Sequence, residues 1–237
     1  MLQSEHDNAA GCDSKIPLIG MTLEQLGEAV TALGLRRFQA SQIARWLYVA
    51  RVTEIDAMTD LSKKARELLA RKYTVGRRAP LTSMRSTDGT VKYLFDSGCG
   101  LDVEAVYIPD KDRATLCVSS QAGCKMHCSF CMTGRQGFHG NLTAASIINQ
   151  VLSVEDSEKL TNIVFMGMGE PLDNTDEVLK ALEILTSEYG FAWSPRRITL
   201  STIGVIPNLR RFLDESQCHL AVSLHDPFAD ERQELMP

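Results

Sequence analysis

Cys124, Cys128 and Cys131 stand within eight residues in the order C-x-x-x-C-x-x-C. Three thiols in one short loop can converge on one metal centre. Three protein ligands leave a coordination position open, as in catalytic rather than structural metal sites. Thiolates are soft ligands, so an iron–sulfur cluster suits them best. Two other readings stay open. A structural zinc ion would take a fourth ligand, for which His127 and His139 are the nearby candidates. The thiols could also be purely structural, although disulfides fit poorly with an odd total of 7 cysteines and a polar N-terminus unlike a secretory signal.

The length of 237 residues suits one large domain, or one domain with a small companion. No apolar run approaches the roughly 20 residues that span a bilayer. The expected setting is a reducing cytoplasm, with no membrane partner and a monomeric chain. The formal net charge of −5 is unevenly spread. Residues 36–78 carry 11 Lys/Arg against 4 Asp/Glu, whereas the remainder carries 14 against 26. A basic segment on an acidic body fits phosphate-backbone binding, and fits equally a solvated helical surface.

The elements that must position the cysteines follow from periodicity. Residues 1–20 read as a flexible tail and residues 21–80 as a small helical, basic accessory domain, the candidate surface for a phosphate backbone. Its helices are expected at about 22–33, 39–49 and 62–72, with Gly34 stopping the first and Ser62 capping the third. Residues 81–110 read as a β-hairpin and strand extension, with Asp88-Gly89 as the turn. From residue 111 strands and helices alternate. Strands are expected at 114–119, 162–168, 197–202 and 219–224, and helices at 142–154, 176–189, 206–214 and from about 229. Such units imply an α/β fold with a parallel sheet, here a partial (β/α) barrel. Active-site residues then lie in loops after the carboxyl ends of strands, where the cysteine loop falls. Four units are too few to close a barrel, so the sequence is expected to end before its fold does.

The other strand ends repeat the theme. Met166-Gly167-Met168-Gly169-Glu170-Pro171 lets a ligand approach backbone and offers a carboxylate to an amine or hydroxyl. Leu200-Ser201-Thr202-Ile203-Gly204 and Ser223-Leu224-His225 place hydroxyls and an imidazole on the same rim. Each alone reads as a turn or a structural side chain; together, beside a thiol cluster, they read as a site.

The phrase Cys124-Lys-Met-His-Cys128-Ser-Phe-Cys131 resembles the radical S-adenosylmethionine (SAM) motif. The stretch Arg113–Cys124, the segment Met166–Leu172, Leu200–Gly204 and His219–His225 resemble the RlmN family, dual-specificity methyltransferases of adenine C2 in 23S rRNA and tRNA. The resemblance covers most of the chain from about residue 21. It implies a [4Fe–4S] cluster on Cys124, Cys128 and Cys131, and SAM as second cofactor. It implies that Gly169, Glu170, Ser201, Ser223, Leu224 and His225 line the SAM site, with Phe130 near the adenine of the cofactor. Adenine C2 is neither nucleophilic nor easily deprotonated, so a cofactor must carry the difficult step.

By the same resemblance Glu104 corresponds to a proton acceptor, and Cys117 to a cysteine that forms a transient disulfide to release methylated RNA. Read without the family, Glu104 is a solvent-facing strand residue and Cys117 a core thiol. Cys12, Cys99 and Cys218 receive no role. The partners implied are 23S rRNA, tRNA and an electron donor such as flavodoxin or ferredoxin. The family also uses a methyl-carrying cysteine near its C-terminus and an asparagine in the SAM site. Neither occurs before Pro237, so a partial sequence is expected. Two rival activities are a sister adenine-C8 rRNA methyltransferase and a non-catalytic metal- or RNA-binding fragment.

Overall fold

The computed structural model describes residues 15–237. Cys12 and most of the expected tail lie outside the described residues. The tail ends earlier than residue 20, because β1 (Ile16–Pro17) pairs in parallel with Tyr73–Thr74 and the next two residues, Leu18 and Ile19, are 0% and 1% exposed. Two consecutive large aliphatic side chains are worth several kcal/mol when buried, which outweighs the ordering of a short segment.

Helix α1 (Leu23–Ala32) starts at Thr22, whose hydroxyl accepts from the Gln25 amide while the Gln25 side chain accepts from the Thr22 amide. This reciprocal cap satisfies two otherwise orphaned donors. Helix α2 (Gln39–Ala44) widens into a π-helical turn over Arg45–Val49 instead of remaining α-helical to its end. Helix α3 (Lys63–Lys72) is capped by Ser62 and runs directly into β2 (Tyr73–Thr74).

The extension supplies β3 (Thr82–Arg85), β4 (Val91–Phe95) and β5 (Val103–Asp110), and the core begins with β6 (Arg113–Cys117). The loop region contains β7 (Gln121–Gly123), α4 (Met132–Arg135) and β8 (Phe138–Asn141). Then follow α5 (Ala144–Ser153), β9 (Asn162–Phe165), α6 (Thr175–Thr186), β10 (Ile198–Thr202), α7 (Ile206–Glu215), β11 (His219–Val222) and α8 (Ala229–Leu235). Extension and core share one seven-stranded sheet in the order β11-β10-β9-β6-β5-β4-β3. The strands β6, β9, β10 and β11 are parallel, and β3 to β6 form an antiparallel meander. The sheet is open among the described residues.

One face of the sheet carries Leu116, Ile163, Phe165, Ile198 and Leu200, all buried in the main core with the apolar sides of α5 and α6. In-register pairing places Val106, Cys117, Val164 and Thr199 in a row on the opposite face. Period-two alternation therefore separates a packed face from one that the strand-end loops overhang.

The helical module is bolted to the core by basic residues. Arg77 donates to the carbonyls of Leu152 and, at 2.9 Å, Arg51. Arg51 reaches Ser157 Oγ at 3.2 Å and lies over the Phe191 ring. At the other end of α5, Gly20 (φ +81°) sits against the backbone of Ala144 and Ala145, where a Cβ would collide. The Gly20→Ala variant should lose roughly 2 kcal/mol or more, from both the disallowed backbone and the collision. Denaturant unfolding measures this, and an unchanged midpoint would show that the module does not dock there.

Candidate active site

The cysteine loop hangs from a narrow neck. Strands β7 and β8 pair antiparallel with an irregularity at Ala122/Gly123, and the Cys124 amide donates to the Gly137 carbonyl at 3.0 Å. Inside the loop the Cys131 amide donates to the Cys128 carbonyl at 3.0 Å, and α4 begins at once. Lys125 anchors the near side. Its ammonium lies 2.8 Å from the Asp173 carboxylate and 4.4 Å from the centroid of the Phe138 ring. Sequence reading missed β7, β8 and α4, since three- and four-residue elements show no periodicity.

Cys124 and Cys128 are each 9% exposed and Cys131 is half-buried. All three line one cavity of about 330 Å³. Among the described residues no three His, Cys, Asp or Glu side chains are already set at metal-holding separation. The thiols share a cavity without converging on a point. Burial pushes the Cys124 and Cys128 thiols up, and the neighbouring cysteines and Glu170 push in the same direction. Buried thiolates crowded together are unfavourable until a cation compensates them. Three soft donors on one wall therefore fit an iron–sulfur cluster. His127 and His139, the nearby fourth zinc ligands that the sequence offered, do not line the cavity.

Facing the thiols across the cavity are Gly169, Glu170, Ser201, Ser223 and His225. The Ser201 and Ser223 hydroxyls are 3.4 Å apart. The Phe130 and His225 rings stand 4.6 Å apart at a tilt of 48°, linking the cysteine loop to the end of β11. Gly169 (φ +96°) packs so closely on Gln121 that a Cβ would overlap it, which keeps this rim down to bare backbone. Leu224 is not brought in: its side chain is 58% exposed and does not line the cavity.

Glu170 does more in the structure than face a ligand. It is 4% exposed, and its carboxylate accepts from Thr202 Oγ1 at 2.6 Å and from the amides of Leu172 and Ile203 at 3.0 Å each. Burial raises its affinity for a proton; the three hydrogen bonds oppose that and Asp173 adds to it. Its own amide donates to Gln121 Oε1 at 2.9 Å. Gln121 Nε2 in turn reaches Asn141 at 2.8 Å and Asp173 at 2.7 Å. Sequence reading did not single out Gln121 or Lys125; the only available signal was their place on either side of Cys124.

Glu104 and Cys117 lie apart from the cavity wall. Glu104 is half-exposed and paired with Lys92 Nζ at 2.9 Å, while its carbonyl accepts from Ser119 Oγ at 2.6 Å. Cys117 is half-buried at the carboxyl end of β6, opposite Val106. The six described cysteines are free thiols.

A family profile described as the radical SAM superfamily matches residues 118–236, which contain the cysteine loop and every strand rim of the cavity. The sheet, loop and cavity are thus those of a radical SAM core. A second profile, the ribosomal RNA large subunit methyltransferase N-terminal domain, matches residues 16–75. Together with the relatives below, these matches show that the chain belongs to the RlmN family of the radical SAM superfamily. A probable dual-specificity RNA methyltransferase RlmN from Bacteroides thetaiotaomicron is 62% identical over 224 residues, 94% of this chain and 65% of that protein. The dual-specificity RNA methyltransferase RlmN of Dichelobacter nodosus is 43% identical, over 94% of this chain and 64% of that one. A crystal structure of a radical SAM methyltransferase from Sphaerobacter thermophilus superposes with a TM-score of 0.86 at 40% identity, covering 94% of this chain and 67% of that chain. The chain spans slightly less than two thirds of the length of these curated relatives.

Burial pushes the Cys117 thiol up, with a backbone hydrogen bond from Met166 opposing it. The group is therefore a neutral thiol at neutral pH. Its alkylation by iodoacetamide, followed by peptide mass mapping, should run roughly tenfold or more slower in the folded chain than in urea. The folded rate should still climb at pH values where an ordinary cysteine has levelled off. A folded profile that levels at the ordinary thiol pH would contradict the assignment.

Proposed function

We propose that this chain is the cluster-bearing part of a radical SAM methyltransferase that modifies C2 of adenine in 23S rRNA and tRNA. The observation that carries this reading is the single cavity shared by Cys124, Cys128 and Cys131 with Gly169, Glu170, Ser201, Ser223 and His225. The three cysteines would hold a [4Fe–4S] cluster with one iron left for SAM. Bound there, the two cofactors would supply reductive radical chemistry for a carbon that ordinary methyl transfer cannot reach. The roles of this chain's residues follow from their positions. Ser201 and Ser223 offer hydroxyl donors and acceptors to the polar parts of the cofactor. Phe130, tilted against the His225 ring and half exposed, offers an aromatic face to the adenine of the cofactor. Glu170 holds the β9 and β10 rims in register. Cys117 and Glu104, on β6 and β5, would act on the RNA adduct as thiol nucleophile and proton acceptor.

The acidic body leaves the helical module as the RNA surface. Of its 11 basic residues, Arg51, Arg66 and Arg77 are half-buried in structural contacts. The others are exposed, among them Arg36, Arg37 and Arg45, and exposed Phe38 lies beside the first two. An acidic electron carrier of the flavodoxin or ferredoxin class would deliver the electron. Among the described residues no helix is long and apolar enough to cross a membrane; cytoplasmic residence as a monomer belongs to the same proposal.

Anaerobic reconstitution with iron and sulfide should give a brown protein that cleaves SAM to 5′-deoxyadenosine and methionine under dithionite. Replacing all three cysteines by Ala should abolish both. Tight zinc binding with no cleavage would instead support a non-catalytic module. Replacing Arg36, Arg37 and Arg45 by Ala should weaken binding of an rRNA hairpin and reduce its salt slope by about 2 to 3, at unchanged cluster content. Unchanged affinity in a filter-binding titration would remove the module from the RNA surface.

A further inference from the structure

Helix α8 touches the site at two places that no cofactor role explains. Arg232 Nη2 donates to the Ile203 carbonyl at 2.7 Å and approaches the Ser223 carbonyl at 3.5 Å, while Nε donates to the Leu224 carbonyl at 3.2 Å. Ile203 follows β10, and Ser223 and Leu224 follow β11. One guanidinium thus ties two neighbouring strand rims at their carboxyl ends. Three residues further along α8, the Leu235 carbonyl accepts from the Ser129 amide at 2.9 Å, inside the cysteine loop. Arg232 itself does not line the cavity.

We propose that Arg232 is a positioning residue that clamps the β10 and β11 rims to the cysteine loop through α8, and thereby sets the tilted Phe130–His225 pair at the exposed edge of the cavity. His225 needs such support. It follows immediately on Leu224 and adopts φ +56°, a left-handed backbone uncommon for a residue other than glycine. The Ser223 and Leu224 carbonyls just before it are those that Arg232 holds. The other ring of the stack, Phe130, follows Ser129, whose amide α8 holds. The backbone beside each ring of the pair is thus held by one seven-residue helix. A planar, multi-donor fork can serve both strands at once; a lysine ammonium on a flexible stem cannot hold the same geometry.

The inference rests on the reading of the cavity as a SAM seat, and two measurements separate the two. Hydrogen exchange is followed by mass spectrometry on the unloaded whole chain as wild type, Arg232→Lys and Arg232→Ala. Both variants should exchange the amides of Ser129, Ile203 and Asp226 about tenfold faster, with α6 unchanged. Equilibrium dialysis of the reconstituted proteins should then show SAM binding about tenfold weaker in Arg232→Lys at equal iron content. Exchange unchanged at Ser129, or accelerated evenly along the chain, would overturn the clamp. A wild type that shows the exchange difference but binds no SAM would sink the cofactor reading and leave the clamp supported.

Discussion

The buried carboxylate of Glu170 is the interaction on which the site depends. Its two oxygens take up Thr202, Ile203 and Leu172, which belong to the β10 rim and to its own turn. Its amide leans on Gln121, and through Gln121 the chain of contacts continues to Asp173 and Lys125 in the cysteine loop. A carboxylate taken out of water is costly unless its lone pairs are filled. Here they are filled by groups from successive strand ends, so the cost of burial is offset only when those ends are in register. The arrangement is fully satisfied or strongly penalised, which makes it a specifier of geometry more than a source of net stability.

That constraint explains why the thiols can be crowded without being pre-assembled. The loop is held at its neck by the Cys124–Gly137 bond, at its side by Lys125 and at its middle by Ser129. Between these anchors Cys124, Cys128 and Cys131 line one cavity without meeting at a point. A rigid frame with adjustable donors can admit a multi-atom cluster and then close on it, whereas a tetrahedral site built for one ion would be tight from the outset.

Much of this was legible in the sequence because the signals were local. Thr22, Ser62 and Thr143 cap helices as their residue types demand, and Asp88-Gly89 turns the β3–β4 hairpin. The cysteine spacing and the polar strand ends pointed to one rim. What stayed hidden was tertiary. Nothing local reveals that Leu18 and Ile19 pack on the module, that Glu170 has three donors waiting, or that Leu224 turns outward beside inward-facing Ser223 and His225. The roles of Gln121 and Arg232 are made by partners 52 and 29 residues away, a separation that no periodicity encodes.

The grip on α5 has one more implication. Gly20 meets that helix at its first turn, Arg77 holds the Leu152 carbonyl at its last, and Asn149 in between exchanges two hydrogen bonds with the Arg78 backbone. Module and core are therefore joined at both ends and in the middle of one helix. Whatever the basic face grasps is held at a set distance from the cavity, as on the jaws of a fixed-gap gauge. On the proposed RNA reading, selection among partners would then be made by span and stiffness, through whether a given loop can cover that distance, before any base is read.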